Sequence, residues 1–361
     1  NIFFYDAHGM EQRAKPDTVA RALAAVDRNT LNEYRAKSKI LDDSRLEASV
    51  PTIEYLLKQN CKVIVCGHLG RPDSVFSNQD SAFSLRPVAK WFARKFDSQI
   101  KETALGGFDG WEISENLFLL ENLRFFKEEE DPSTSSGQEF ARKLADLAQI
   151  YVNDAFASSH RAHASIVGVS KLLPHFAGLH LQKEVETLSR VLENPRRPLT
   201  VVIGGAKIET KLPMVSKMHG FADYVLVGGE IAEHTRELLK VEHEKTERKS
   251  ELLIADLTPD QKDINEESIQ KFIDVINKSS TILWNGPLGL VEDCFDLGTR
   301  EVAQAIAKSS GNTIVGGGDT VSFLKKEGLL SKFSFVSTGG GAMLEFLAGE
   351  NLPGIEALID K

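Results

Sequence analysis

Short β-branched apolar runs recur along the chain. Each is closed by a glycine or polar turn and followed by apolar residues at helical spacing: KVIVCGHLGR, LFLLENLRF, IYVNDAFASSH, TVVIGGAK, YVLVGGE, TILWNGPLG, TIVGGGDT and FSFVSTGGG. This alternation predicts an α/β fold with open parallel sheets covered by helices on both faces. The turn chemistry changes about halfway. Tips before Lys171 are rich in His, Arg and Asn, whereas tips after Pro198 are rich in Gly, which marks a domain boundary. Between them Leu179–Leu192 (LHLQKEVETLSRVL) has helical spacing and reads as a helix joining the halves, a plain surface helix being the alternative. Glu128–Gln138 (EEEDPSTSSGQ) reads as a solvated loop, and the charged run Lys240–Glu251 fits neither helix nor strand.

A length of 361 residues also argues for more than one domain, since single cores usually stop growing below that size. With 42% hydrophobic and 26% charged residues, the chain is ordinary globular protein. Its formal net charge of -9 opposes nonspecific binding to nucleic acid or anionic membrane, so an anionic ligand needs a local basic cluster. Cys61, Cys66 and Cys294 lack the spacing of a zinc site or a disulfide framework. No apolar run approaches membrane-spanning length, and NIFFYDAHGMEQR lacks the order of a secretory signal, so a soluble, cytoplasmic protein is expected. No Walker-type GxxxxGK[ST], HExxH or post-strand GxGxxG occurs.

Ligands of open parallel sheets lie beyond the carboxyl ends of the strands. In the first half those positions are basic: His68 and Arg71 follow KVIVCG, Arg124 follows LFLLEN, and His160, Arg161 and His163 follow IYVNDAFASS. Arg45, opening the helical stretch DDSRLEASVPTIEYLL, could face the same edge. Guanidinium forks match phosphate and carboxylate oxygens. Any single Arg could be a surface charge, but four successive basic tips on an acidic protein point to an anionic ligand.

In the second half Gly204-Gly205, Gly228-Gly229, Gly316–Gly318 and Gly339–Gly341 each end an apolar run. Without Cβ atoms, backbone N–H groups approach an anion closely, and a following helix N-terminus adds partial positive charge, as a nucleotide-phosphate site requires. Gly204-Gly205 alone could be a tight connection. Lys207 and Lys211, four apart, share one helix face if GGAKIETK opens a helix. Asp319 could meet a nucleotide-borne Mg²⁺ or cap a helix, and Glu292 could accept from ribose hydroxyls or be solvated.

With these residues in place, the sequence resembles the phosphoglycerate kinase family. VDRN, DDSRL, GHLGRP, LLENLRF, YVNDAFASSHRAHAS, GGAKIETK, VLVGGE, WNGPLG, IVGGGDT and STGGGAMLEFLAGENLPG follow the family's order from about Val26 onward. The resemblance implies two Rossmann-like, three-layer domains facing a central cleft: residues 1–178 for 3-phosphoglycerate, a helix over 179–195, residues 196–345 for the nucleotide, and a tail, 346–361, returning toward the first domain. It implies that Asp27, Asn29, Arg45, His68, Arg71, Arg124 and Arg161 surround 3-phosphoglycerate. It implies a nucleotide near Lys211, Gly228, Gly229, Asn285, Pro287, Glu292, Gly316, Gly317, Gly318, Asp319 and Thr320, with Asp319 toward Mg²⁺. Arg45, Lys207, Lys211, Gly318 and Gly341 would carry the transfer between 1,3-bisphosphoglycerate and ADP, in a monomer that closes on a hinge.

Departures from the family pattern bear on the nucleotide half. Ile231–Leu283 is a few tens of residues shorter than usual, Glu230 replaces the third glycine of its turn, and Thr210 replaces an aspartate between the two lysines. Asn1–Ala25 does not match the usual first strand. The rival reading is a family member that binds phosphoglycerate without efficient turnover.

Overall fold

The structure is a computed structural model that describes residues 2–6, 40, 42–70, 72, 83–206, 208–241 and 250–359. The chain divides into two compact units, Asn1–Gln182 with Pro353–Lys361, and Lys183–Leu352.

The first unit contains β1 (Ile2–Asp6), α1 (Ser44–Lys58), β2 (Val63–His68), α2 (Arg86–Lys95), β3 (Lys101–Leu105), β4 (Phe108–Ser114), β5 (Leu117–Leu120), α3 (Ser135–Ala145), β6 (Tyr151–Asn153) and β7 (His175–Ala177). These strands form one sheet in the order β3-β4-β5-β2-β1-β6-β7. The pairs β5-β2, β2-β1, β1-β6 and β6-β7 are parallel. Sheet geometry explains why the strands read as continuous apolar runs. Val63, Val65, Leu117 and Leu119 pack on one face against Val88, Trp91 and Phe92, while Ile64, Cys66, Phe118 and Leu120 pack on the other against Phe140 and Leu144.

Two features of this sheet differ from the sequence reading. The pairs β3-β4 and β4-β5 are antiparallel. Gly106 and Gly107 turn between Leu105 and Phe108 with φ of 57° and 89°, the positive pair that a two-residue hairpin requires. The hairpin alternates polar and apolar residues, so it is not among the apolar runs. The amino-terminal stretch, unlike the family's first strand in sequence, nevertheless supplies β1, paired parallel to both β2 and β6.

A third difference concerns the acidic stretch. Ser135–Gln138 begins α3, capped by Thr134, whose side chain accepts from Gly137 N–H. Lys127–Glu129 is a 3-10 turn in which Glu129 is fully buried. This stretch is therefore only partly a solvated loop.

The helix expected over Leu179–Leu192 is α4 (Leu179–Glu193). The second unit continues with β8 (Leu199–Ile203), α5 (Ile208–His219), β9 (Tyr224–Val227), α6 (Ile231–Val241), β10 (Glu251–Ile254), α7 (Glu266–Ile276), β11 (Thr281–Asn285), α8 (Leu297–Lys308), β12 (Asn312–Gly316), α9 (Gly318–Lys326), β13 (Phe335–Val336) and α10 (Gly340–Ala348). Its strands run parallel in the order β10-β9-β8-β11-β12-β13. The order reverses between β8 and β11, the switch point where open α/β sheets take ligands. Lys240 and Val241 of the unassigned charged run end α6, and Glu251 opens β10.

The last helix, α11 (Pro353–Glu356), belongs to the first unit. Gly354 N–H donates to the Ser159 carbonyl at 2.7 Å, and Asn153 Nδ2 donates to the Gly354 carbonyl at 3.1 Å. A Cβ on Gly354 would stand 2.8 Å from Ser159 Cα, so a larger side chain does not fit here. Among the described residues, no helix is long and apolar enough to cross a membrane.

Candidate functional site

In the first unit the basic tips emerge beyond the carboxyl ends of β5, β2 and β6. His68 is the last residue of β2, Arg124 belongs to the 3-10 turn after β5, and His160–His163 follow the 3-10 turn after β6. Asn122 builds the second tip. Its side chain donates to the carbonyls of Leu69 and Phe83 and accepts from Arg124 N–H at 3.1 Å. Arg124 is buried, with Nη1 donating to the Gly70 carbonyl at 2.8 Å and Nε 3.2 Å from exposed Glu130. Its guanidinium is thus anchored by the loop that leads from His68. Arg161 Nε donates to His160 Nε2 at 3.2 Å, and half-buried Arg45 lies in the first turn of α1. Asp27, Asn29, Arg71 and Lys207 lie outside the described residues.

Behind the tips lies a group that sequence reasoning missed. Glu129 Oε1 is 2.6 Å from His68 Nε2 and also accepts from the Ser165 hydroxyl, while Oε2 accepts from Ser165 N–H at 3.0 Å. His163 Nδ1 is 3.9 Å from Oε1, and its ring meets that of His68 edge-on, centroids 4.8 Å apart. His68, Glu129 and His163 each bring a metal-ligand atom type within 4.8 Å of the others. The 2.6 Å contact is nevertheless too short for two ligands of one ion, which stand about 3 Å or more apart around a tetrahedral zinc. The group is a hydrogen-bonded set of His68, Glu129 and Ser165, with the His163 ring packed beside it. Glu129 hides within an acidic run whose other members are half-buried or exposed, so composition gives no signal for it.

Asp154, directly after β6 and two residues before the turn Phe156–Ser158 begins, is also buried. Its Oδ1 accepts from the N–H groups of His180 and Leu181 at 2.9 and 3.0 Å, at the start of α4. Burial pushes its carboxyl up to about 7, against the lowering effect of these bonds and of Thr52. The acidic position directly after a strand is the one sequence signal for this capping role.

In the second unit the glycine turns come together at the switch point. Gly204 N–H donates to the Asn285 carbonyl at 3.0 Å, joining the turns after β8 and β11. A Cβ on Gly204 would run into the Pro287 carbonyl, and one on Gly229 would lie 2.8 Å from Gly205 N. Gly205, Gly229, Gly286 and Gly317 have φ of 85°, 69°, 97° and 98°, which side chains rarely adopt. Gly286 N–H donates to Thr320 Oγ1 at 3.0 Å, and Asn285 Nδ2 donates to the Gly340 carbonyl at 3.3 Å, linking this cluster to the first turns of α9 and α10. Neither α9 nor α10 has a side-chain N-cap hydrogen bond, and glycines occupy both cap positions. Helix N-termini of this kind, with no side chain over their first N–H groups, are suited to an anion.

Lys211 is buried in α5 with Nζ donating to the Gly204 carbonyl. Buried Gly228 and Pro287 line the same cluster, and Gly341 lies exposed in the first turn of α10. Gly316 ends β12, and Gly318 opens α9 with nothing where a Cβ would be. Asp319 is exposed in the first turn of α9, next to this turn, and offers a hard carboxylate oxygen of the kind Mg²⁺ takes alongside phosphate. Glu292, in the 3-10 turn after β11, is exposed, as is Glu230.

The profile of the Phosphoglycerate kinase family matches residues 18–257 and 234–350, two segments that overlap within the stretch found short. Phosphoglycerate kinase of Coprothermobacter proteolyticus is 37% identical over 389 residues, covering 94% of this chain and 96% of its own. That span exceeds the 361 residues of this chain, so the relative carries residues that this chain lacks. Phosphoglycerate kinase of Finegoldia magna is 38% identical, covering 89% of this chain and 92% of its own. Among solved structures, phosphoglycerate kinase from Coxiella burnetii superposes with a TM-score of 0.72 at 30% identity, covering 99% of this chain and 95% of its own. The enzyme from Pyrococcus horikoshii OT3 gives a TM-score of 0.75 at 26% identity with the same coverage. The chain therefore belongs to the phosphoglycerate kinase family of phosphotransferases.

Proposed function

We propose that this chain catalyses reversible phosphoryl transfer from 1,3-bisphosphoglycerate to MgADP, giving ATP and 3-phosphoglycerate. The acyl oxygen–phosphorus bond breaks as a β-phosphate oxygen of ADP bonds to the same phosphorus in line. The observation that carries the reading is the convergence of the four glycine-turn regions with two uncapped helix N-termini at the switch point of the second sheet. Such a cluster suits the tail of a nucleotide. Residues 1–178 would hold the acid, and residues 196–345 the nucleotide.

Phosphoryl transfer asks chiefly for alignment and charge neutralisation. His68, Arg71, Arg124, Arg161, Asp27 and Asn29 would bind the acid. Lys211, Gly228, Gly229, Asn285, Pro287, Glu292 and the turn Gly316–Thr320 would bind the nucleotide. Arg45, Lys207, Lys211 and the N–H groups of Gly318 and Gly341 would supply positive field to the moving group. Mg²⁺ held with the nucleotide at Asp319 would offset phosphate charge. The two substrates must meet with water excluded, which calls for hinge closure in each turnover. The reading extends to a monomer in the cytoplasm, the free thiols of Cys61, Cys66 and Cys294 supporting the reducing compartment alone.

A coupled assay for ATP formation from 1,3-bisphosphoglycerate tests the activity. The second reading, an acid-binding protein of poor turnover, draws on the missing residues in the alignment. Calorimetry separates the two: MgADP binding supports the enzyme, and its absence beside intact 3-phosphoglycerate binding supports the alternative.

A further inference from the structure

Glu129 has no part in the assignment above, yet it joins three segments of the acid half-site. Through His68 it holds the end of β2. Through Ser165 N–H and hydroxyl it holds the segment carrying His160, Arg161 and His163. It lies itself in the turn that follows Arg124. Three donors on one fully buried carboxylate form a clamp, and a carboxylate can only accept. The His68 nitrogen facing it must then be Nε2–H. Among the described residues no partner is found for Nδ1, which is left as the ring nitrogen for a ligand. To receive an anionic oxygen there, Nδ1 needs a proton too. The ring that meets the ligand is thus an imidazolium whose charge Glu129 offsets from behind.

We infer that Glu129 is a positioning residue for acid binding, fixing the rotamer and tautomer of His68 and tying it to the loop of Arg161. The inference rests on the reading of this edge as the 3-phosphoglycerate half-site. The other titratable groups facing the carboxylate are His163 from the loop, Cys66 from β2 and Tyr151 from β6. Burial first, then the nearby Glu129 charge, pushes the Cys66 thiol well up, and burial first, then Cys66 and Glu129, pushes the Tyr151 hydroxyl well up, so both stay neutral.

The test uses the full chain and histidine-ring ¹H–¹⁵N NMR, followed by kinetics of Glu129→Gln. In the unsubstituted protein His68 is expected as the Nε2–H form, with both ring nitrogens protonated on adding 3-phosphoglycerate. In Glu129→Gln the amide oxygen stays with Ser165 N–H, which can only donate. The amide NH₂ then faces His68 Nε2, and the tautomer flips to Nδ1–H. The KM for 3-phosphoglycerate should rise about tenfold while that for MgATP is unchanged, because a charged donor has been replaced by a neutral one. A His68 already in the Nδ1–H form in the unsubstituted chain overturns the inference even if the variant does not fold. Equal rises in both KM values without a tautomer change also overturn it, since they describe a purely structural carboxylate. If 3-phosphoglycerate does not bind the unsubstituted chain, the half-site reading fails, while the tautomer and its flip still decide what Glu129 does to His68.

Discussion

Thr338 donates twice to the same oxygen of Glu184, from its backbone N–H at 2.6 Å and its hydroxyl at 3.0 Å. Glu184 is a buried residue of α4, and Thr338 leads into the Gly339 turn of the candidate phosphate cluster. Burial pushes the Glu184 carboxyl up to about 7, while the bonds from Thr338 and Ser337 oppose that rise. Removing the acceptor in Glu184→Ala should cost about 1–3 kcal/mol of stability. Glu184→Gln, which keeps an acceptor oxygen, should cost less. Urea denaturation of both variants checks the order, and an alanine variant as stable as the glutamine one would refute it.

Asp154 gives a pH dependence. Its carboxyl, ordinarily near 3.8, titrates at about 7 when folded, so between those values the folded chain binds a proton that the unfolded chain has lost. Stability from this group is greatest below the ordinary value, falls as pH rises toward 7, and is flat above. Asp154→Asn keeps an oxygen for the His180 and Leu181 donors and removes the titration. The loss of melting temperature between pH 5 and pH 8 should shrink by the equivalent of a few kcal/mol at most, on the order set by such shifts. The remaining decline is shared by Glu184, Glu121 and Asp263, whose carboxyls burial also raises.

Two glycines of the proposed nucleotide edge should respond differently to alanine. Gly286 has φ of 97°, and a Cβ there meets the Gly204 carbonyl and Lys211 Nζ. Gly286→Ala should destabilise by about 1–3 kcal/mol and weaken MgADP binding. Gly318 has open space at its Cβ, so Gly318→Ala should change stability by less than about 0.5 kcal/mol. Any fall in its turnover then reports close approach of a ligand. Thermal melts with MgADP calorimetry separate the two.

Arg45→Ala should depress turnover about a hundredfold while the MgADP Kd moves less than about twofold, as expected of a cation that acts on the moving group. Near-normal turnover in the variant counts against that role.

The glycine turns were legible because the backbone at these strand ends needs glycine. Gly204, Gly229, Gly286 and Gly317 carry their backbone requirement in their identity. The supporting carboxylates were not legible. Glu129 pairs with His68 across 61 positions, and Glu184 with Thr338 across 154. A buried acid looks like a surface acid until its distant donors are known. The β3–β4 hairpin escaped for a different reason: half its residues face outward, so hydrophobic runs do not reveal it, although Gly106-Gly107 is a turn signal.

Gly354 and Asn153 have a consequence for biosynthesis. The strands of the first sheet leave the ribosome long before α11, with the whole of the other unit translated in between. A nascent chain arrested at Leu352 would therefore have its glycine-lined sheet complete while the loop bearing Ser159 still waited for its latch. Protease pulses on such arrested chains should nick near that loop, and should cease to do so once a few more codons are read.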